Sequence, residues 1–149
     1  VDIGSSYLPS ELTAAFLLGQ LEAVDTITQQ RRECYQRYME LFQGSAEAGK
    51  MTLPAIPAAC RSNYHLFHIL LPTPQQRQGL ISRLNEQGIH AVFHYVPLHS
   101  SPMGIALNSE QPALPVTDSC SERLVRLPIY PGLTTEQQDR IVAEVQAFL

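Results

Sequence analysis

Apolar and semi-apolar residues recur at steps of four and three from Pro9 and Ser10 to about Phe42, through Leu17, Leu21, Val24, Thr28, Tyr35, Tyr38 and Phe42. That spacing is one face of a long helix. Leu18, Ile27, Cys34 and Leu41 widen the stripe on its flank, so the predicted helix packs against more than one neighbour. The pattern dies at Gly44 and Gly49, and Pro54 and Pro57 mark an extended connection to Arg61. Tyr64 to Leu71, between Asn63 and Pro72, is aromatic and aliphatic and too short for a helix, which predicts a strand. Thr73, Pro74 and Gln76 then punctuate a helix start as cap, first residue and capping-box partner. Leu80, Ile81 and Leu84 give that helix its buried face, Gly88 its left-handed stop, and Ile89 to Val96 reads as a second strand ended by Pro97.

From Leu98 to Val116 periodicity fails, prolines accumulate, and a long loop is expected, of the kind that usually has a task. A short helix from about Asp118 to Leu124, a third strand from Arg126 to Ile129, a turn at Pro131-Gly132 and a last helix complete the chain. Thr134 with Gln137 repeats the capping box, and Ile141, Val142, Val145 and Phe148 form the final apolar face. The sum is an α+β fold, a long N-terminal helix followed by a small β-α-β-α-β-α unit with helices on one face of a short sheet. Short crossovers favour a split β-α-β with the third strand antiparallel. Residues 1–45 are expected to form the long helix, 46–61 a connection and 62–149 the small α/β domain.

Composition narrows the function classes. With 149 residues, 44% of them hydrophobic, the chain suffices for one core. A formal net charge of -4 without any basic run argues against nucleic acid, and no apolar run approaches the about 18 residues of a membrane span. Cys34, Cys60 and Cys120 are odd in number and lack a C-x-x-C pair, which predicts neither a disulfide framework nor a zinc knuckle and fits a reducing cytoplasm. A secretory leader is not expected, and an opening on Val1 rather than Met fits a piece of a longer protein.

The candidate chemistry rests on five histidines. His65 and His68, three apart on a strand, face opposite ways and cannot chelate one ion; His90 and His94 share a face but lie about 13 Å apart along an extended strand. No metal site is predicted. His94 and His99 flank a proline turn, as hydrogen-bonded scaffolding or as a functional pair. Ser5, Ser6 and Ser10 surround Gly4 ahead of a helix N-terminus, where an anion is favoured, although an N-cap role for Ser10 explains part of the pattern. Lys50, the only lysine, sits in a glycine-flanked turn, a poor place for a desolvated Schiff-base amine.

Four phrases taken together, GSSYLPSELTAAFLLGQLE (4–22), SNYHLFHILL (62–71), GIHAVFHYVPLHSSP (88–102) and SERLVRLPIYPGLTTEQQDRIV (121–142), resemble the C-terminal portion of the pyridoxal-phosphate-dependent sugar aminotransferases of the DegT/DnrJ/EryC1/StrS type. The resemblance implies the small C-terminal domain of a fold-type-I homodimer with active sites between subunits. It implies amino transfer, with glutamate as donor, to the 4-keto carbon of a nucleotide sugar such as dTDP-4-keto-6-deoxy-D-glucose in surface polysaccharide biosynthesis. The family's catalytic lysine belongs to an upstream Ser-Phe-His-x-x-Lys phrase without a counterpart here, so the piece alone is expected to be inactive and to hold no cofactor. The family's G-x-N-x-R phrase falls on Gly4, Ser6 and Leu8; Ser6 keeps a shorter donor toward the cofactor phosphate, and Leu8 cannot replace a guanidinium. The H-Y-x-P-L-H phrase places His94, Tyr95 and His99 on the sugar-nucleotide side of the cleft, with 100–116 as a specificity segment. The competing reading is a stand-alone α+β ligand-binding or regulatory module. The length of the helical stripe favours missing neighbours, and with them exposed apolar surface and self-association in the isolated piece.

Overall fold

The computed structural model describes residues 7–107 and 113–149. Two helices stand where one was expected. Ser10 caps α1 (Glu11–Glu22), its hydroxyl accepting from the Thr13 N–H, and α2 (Val24–Glu47) follows after the single residue Ala23. The Ala23 N–H bonds the Leu21 carbonyl, while its own carbonyl accepts from Ile27, so the break needs neither proline nor glycine. Gly44 lies inside α2, which ends at Glu47, and Gly49 supplies the stop with φ +71°.

The halves of the expected stripe have different fates. Cys34, Tyr35, Tyr38 and Phe42 of α2 are buried, whereas α1 buries nothing, leaving Leu12 86% and Phe16 73% exposed.

The sheet is small. β1 (Phe67–Leu70) pairs antiparallel with β2 (Leu124–Leu127), with Phe67 opposite Leu127 and His68 opposite Arg126. Beyond β2, Val92 makes one antiparallel bridge to Arg126, with N···O distances of 2.8 and 3.4 Å; beyond β1, Thr52 bridges Leu70. Since β1 and the Val92 segment are each antiparallel to β2, they run parallel to one another with β2 between them, the split β-α-β arrangement. Of the strand expected from Ile89 to Val96 only that bridge forms, with Ala91 buried in the core and His94 on the opposite face at Arg126. The first strand starts at Phe67 rather than Tyr64, whose φ of +51° is incompatible with extended backbone. The third is shifted to Leu124–Leu127, with Pro128 beyond its end.

Side chains alternate across the sheet. Phe67, Ile69, Val125 and Leu127 point into a core completed by α2, α3 (Pro74–Glu86) and α6 (Thr135–Phe148). Phe67 is its centre, with ring centroids 4.8 Å from Tyr38 and 5.1 Å from Tyr35. The Tyr38 hydroxyl donates to the Pro128 carbonyl at 2.9 Å, and the buried Gln138 amide of α6 donates to the Cys34 carbonyl of α2. Both expected helix starts hold. Thr73 accepts from the Gln76 N–H, and Thr134 with Gln137 forms the full capping box.

The stretch from Leu98 to Val116, expected to be a loop, contains α4 (Pro102–Leu107) and the beginning of α5 (Pro115–Arg123). Ser101 initiates α4 by accepting the Gly104 N–H at 3.0 Å. A Cβ at Gly104 would sit 1.9 Å from the Leu98 carbonyl oxygen, so this turn is closed to any larger residue. Pro115 in its first turn starts α5 three residues before Asp118.

Replacing Phe67 by Ala empties the centre of the core and is expected to cost about 3–5 kcal/mol in urea unfolding. Tyr38→Phe, which only orphans the Pro128 carbonyl, should cost about 1–3 kcal/mol.

Candidate functional site

The sheet face turned away from the helices carries a polar pair, His68 and Arg126, beside Leu70 and Leu124. Alternation that buries Val125 and Leu127 turns Arg126 outward, and the antiparallel register sets His68 directly across from it. Val92, on the opposite side of Arg126, fixes where the chain leaves the sheet, and two residues later His94 returns to the same guanidinium. Arg126 Nη1 donates to His94 Nδ1 at 2.8 Å. His94 and Tyr95, joined by a cis peptide bond, stack with ring centroids 3.7 Å apart and planes 28° from parallel.

The segment carrying these rings is held from both sides. The Asn85 amide donates to the Ala91 carbonyl at 3.2 Å, and the Arg77 guanidinium lies 5.8 Å from the Phe93 ring centroid. Arg77 is in turn fixed by donating to the Glu122 carbonyl. Two hollows flank the row: one of about 280 Å³ between Arg77, Phe93, Tyr95, Val96 and Ser121, and one of about 330 Å³ beside Val92, Arg126, Pro128 and Tyr130.

Burial and the Arg126 charge bias the two inner histidines of this row toward the neutral form. Burial, with His94 close by, holds His68 below the ordinary histidine value, and its Nδ1 is buried without a hydrogen-bond partner among the described residues. Burial, the Arg126 guanidinium and His65 lower His94 in the same direction. His65 stands at the exposed end of the row, its Nδ1 2.7 Å from the Asn63 side-chain oxygen.

The expected site residues are divided by the fold. His94 and Tyr95 are stacked at the centre of the polar face. His99 is turned to α5, its Nε2 3.0 Å from an Asp118 carboxylate oxygen, with only 15% of its side chain exposed. Ser6 lies outside the described residues. Sequence reasoning weighs His68 only as a metal ligand with His65 and passes over Arg126, although the period-two alternation of Leu124–Leu127 carries the signal for Arg126. Among the described residues no group of three or more metal-ligating side chains converges, and no helix is long and apolar enough to cross a membrane.

A pyridoxal phosphate needs an amine, activated by burial or a neighbouring charge, to carry it. Lys50 is exposed at the turn after α2, two residues before Thr52, which bridges the outer edge of β1, away from the Arg126 side. The described residues therefore do not fit the cofactor by themselves; they present a polar, hydrogen-bonding surface.

Both lowered histidines favour the neutral form in the folded protein, so the unfolded chain binds more protons. Stability is full above the unfolded value of about 6.5 and is lost as pH falls through it toward the folded values. Urea midpoints measured from pH 7.5 to 5 should fall, and the fall should be shallower in His68→Gln.

Comparison with known proteins agrees with this architecture. The profile of the DegT/DnrJ/EryC1/StrS aminotransferase family matches residues 2–146. The "Pleiotropic regulatory protein" of Geobacillus stearothermophilus is 30% identical over 139 residues, which is 93% of this chain and 36% of that relative. Helicobacter pylori PseC, an aminotransferase of pseudaminic acid biosynthesis, superposes with a TM-score of 0.83 at 22% identity over 99% of this chain and 39% of its own. Streptomyces venezuelae DesV, solved with a ketimine intermediate, superposes at 0.79 with 27% identity over 91% of this chain and 35% of its own. The chain thus spans little more than a third of the length of these relatives. With the family profile covering nearly its whole length, the chain belongs to the DegT/DnrJ/EryC1/StrS aminotransferase family.

Proposed function

We propose that this chain is the C-terminal, substrate-facing part of a pyridoxal-phosphate-dependent sugar-nucleotide aminotransferase. In this reading residues 62–149 form a small domain and 1–45 the helices leading from a larger domain that supplies the Schiff-base lysine. The observation that carries it is the sheet's outer face, where His94, Tyr95 and Arg126 form a preorganised set of polar groups between two hollows. Such a row suits a ligand with a ring to stack and many oxygens to hydrogen-bond.

The second support is α1. Tyr7, Leu8, Leu12 and Phe16 are each more than 70% exposed, and apolar residues surround the helix. Exposed apolar surface on this scale marks a surface that other protein covers, which disfavours the stand-alone module and suits the rest of a homodimeric enzyme.

The proposed reaction moves an amino group, from glutamate, to the 4-keto carbon of dTDP-4-keto-6-deoxy-D-glucose in the cytoplasm, toward surface polysaccharide. The cofactor supplies the electron sink when bound in the whole protein. This chain's residues bind and orient the sugar nucleotide and exclude water from it. His94 and Tyr95 contact it, His99 fixes the specificity segment through Asp118, and Ser6, by its place in the family phrase, is the candidate contact to the cofactor phosphate.

The test is amino-sugar formation from this keto sugar and glutamate by the whole protein, with the 149-residue chain assayed beside it. Turnover by the whole protein and none by the chain are expected. In the whole protein His94→Ala and His99→Ala should each lower kcat/KM by about tenfold or more. Turnover that both substitutions leave unchanged contradicts the assignment.

A further inference from the structure

The contact between Arg126 and His94 decides more than position. A guanidinium has only donors and keeps its charge. Its Nη1 lies 2.8 Å from His94 Nδ1, so that nitrogen must be the acceptor and carry no proton. A neutral imidazole with a bare Nδ1 has its proton on Nε2. Protonating both nitrogens would break the bond and leave two cations in contact. The groups facing His94 from the elements around it reinforce this: Arg126 from β2, His68 from β1, whose own burial disfavours charge, and His65 from the segment before β1. Tyr95, stacked on the ring, fixes its plane. Among the described residues Nε2 has no hydrogen-bond partner.

We propose that Arg126 is a positioning residue that locks His94 as the neutral Nε2–H tautomer, so that His94 meets its ligand as an obligate hydrogen-bond donor and not as a base. The acceptor it selects is a ligand oxygen: a hydroxyl, carbonyl or phosphoryl oxygen. That the ligand is a sugar nucleotide rests on the function proposed above; the tautomer does not. The arrangement also extends the donor form to lower pH than in a free histidine, because a second proton on the ring would face the Arg126 guanidinium.

The tautomer is read directly by two-bond 1H–15N correlation spectra of the 149-residue chain labelled at histidine, with His94 assigned by its loss in His94→Gln. The expected spectrum has Nδ1 in the unprotonated range and Nε2 in the protonated range, with a titration midpoint below 6.5. Arg126→Leu should mix the tautomers and raise the midpoint toward about 6.5, whereas Arg126→Lys, which keeps a cationic donor on a long stem, should preserve both features. A wild-type spectrum with the proton on Nδ1, or with mixed tautomers, overturns the proposal, and this holds even if Arg126→Leu does not fold. So does an Arg126→Leu spectrum that matches the wild type.

In the whole protein, Arg126→Leu should raise the KM for the nucleotide sugar by about three- to tenfold, the loss of one ordinary hydrogen bond, and make it pH-dependent around neutrality. A kcat loss with KM unchanged contradicts a donor role in binding. Failure of the whole protein to aminate any nucleotide sugar overturns the functional reading, while the tautomer is decided by the spectra alone.

Discussion

The antiparallel insertion of β2 between β1 and the Val92 segment is the constraint from which the rest follows. A strand cannot choose the faces of its side chains independently, because period-two alternation commits all of them once one is committed. Burying Val125 and Leu127 against Tyr38, Phe42 and the helices therefore turns Arg126 out, and the register puts His68 opposite it. Backbone bonding to Val92 then delivers His94 to the same guanidinium. Core packing and the polar row are two consequences of one register, and a one-residue slip would destroy both.

The chain is two-sided in another respect. From α2 onward its aromatic and aliphatic residues find partners, and the capped starts of α3 and α6 and the buried Gln138 bond tie the helices to one another. α1 and the rim around Tyr95, Leu98, Met103 and Val116 remain apolar and exposed. Apolar surface concentrated on the first helix and around the polar row, rather than scattered, is the expected outline of a domain that closes against further protein.

Much of this was legible in the sequence because local chemistry dictated it. Thr73-Pro74 and Thr134 with Gln137 specify helix starts through bonds to their own backbone, and Gly88 and Gly49 take the positive φ their stops require. The family phrases single out His94 and Tyr95, which the structure stacks on each other beside Arg126. What stayed hidden depended on tertiary context. Ala23, a strong helix former, gives no sign that the long stripe is divided there, and nothing local distinguishes the exposed leucines of α1 from the buried aromatics of α2. The second strand reads as eight extended residues, but only Val92 bridges β2. The Arg126 contact is hidden because its partner His94 is 32 residues away and the two meet only once the third strand is placed in the middle.

The most direct test of the central claim, that the outer sheet face is where a sugar nucleotide is met, is the structure of the whole protein determined with a dTDP-sugar bound. The account predicts the ligand against His94 and Tyr95, with a ligand oxygen within hydrogen-bond distance of His94 Nε2 and Arg126 still on Nδ1. A ligand seated elsewhere, with this face covered by protein, would contradict it.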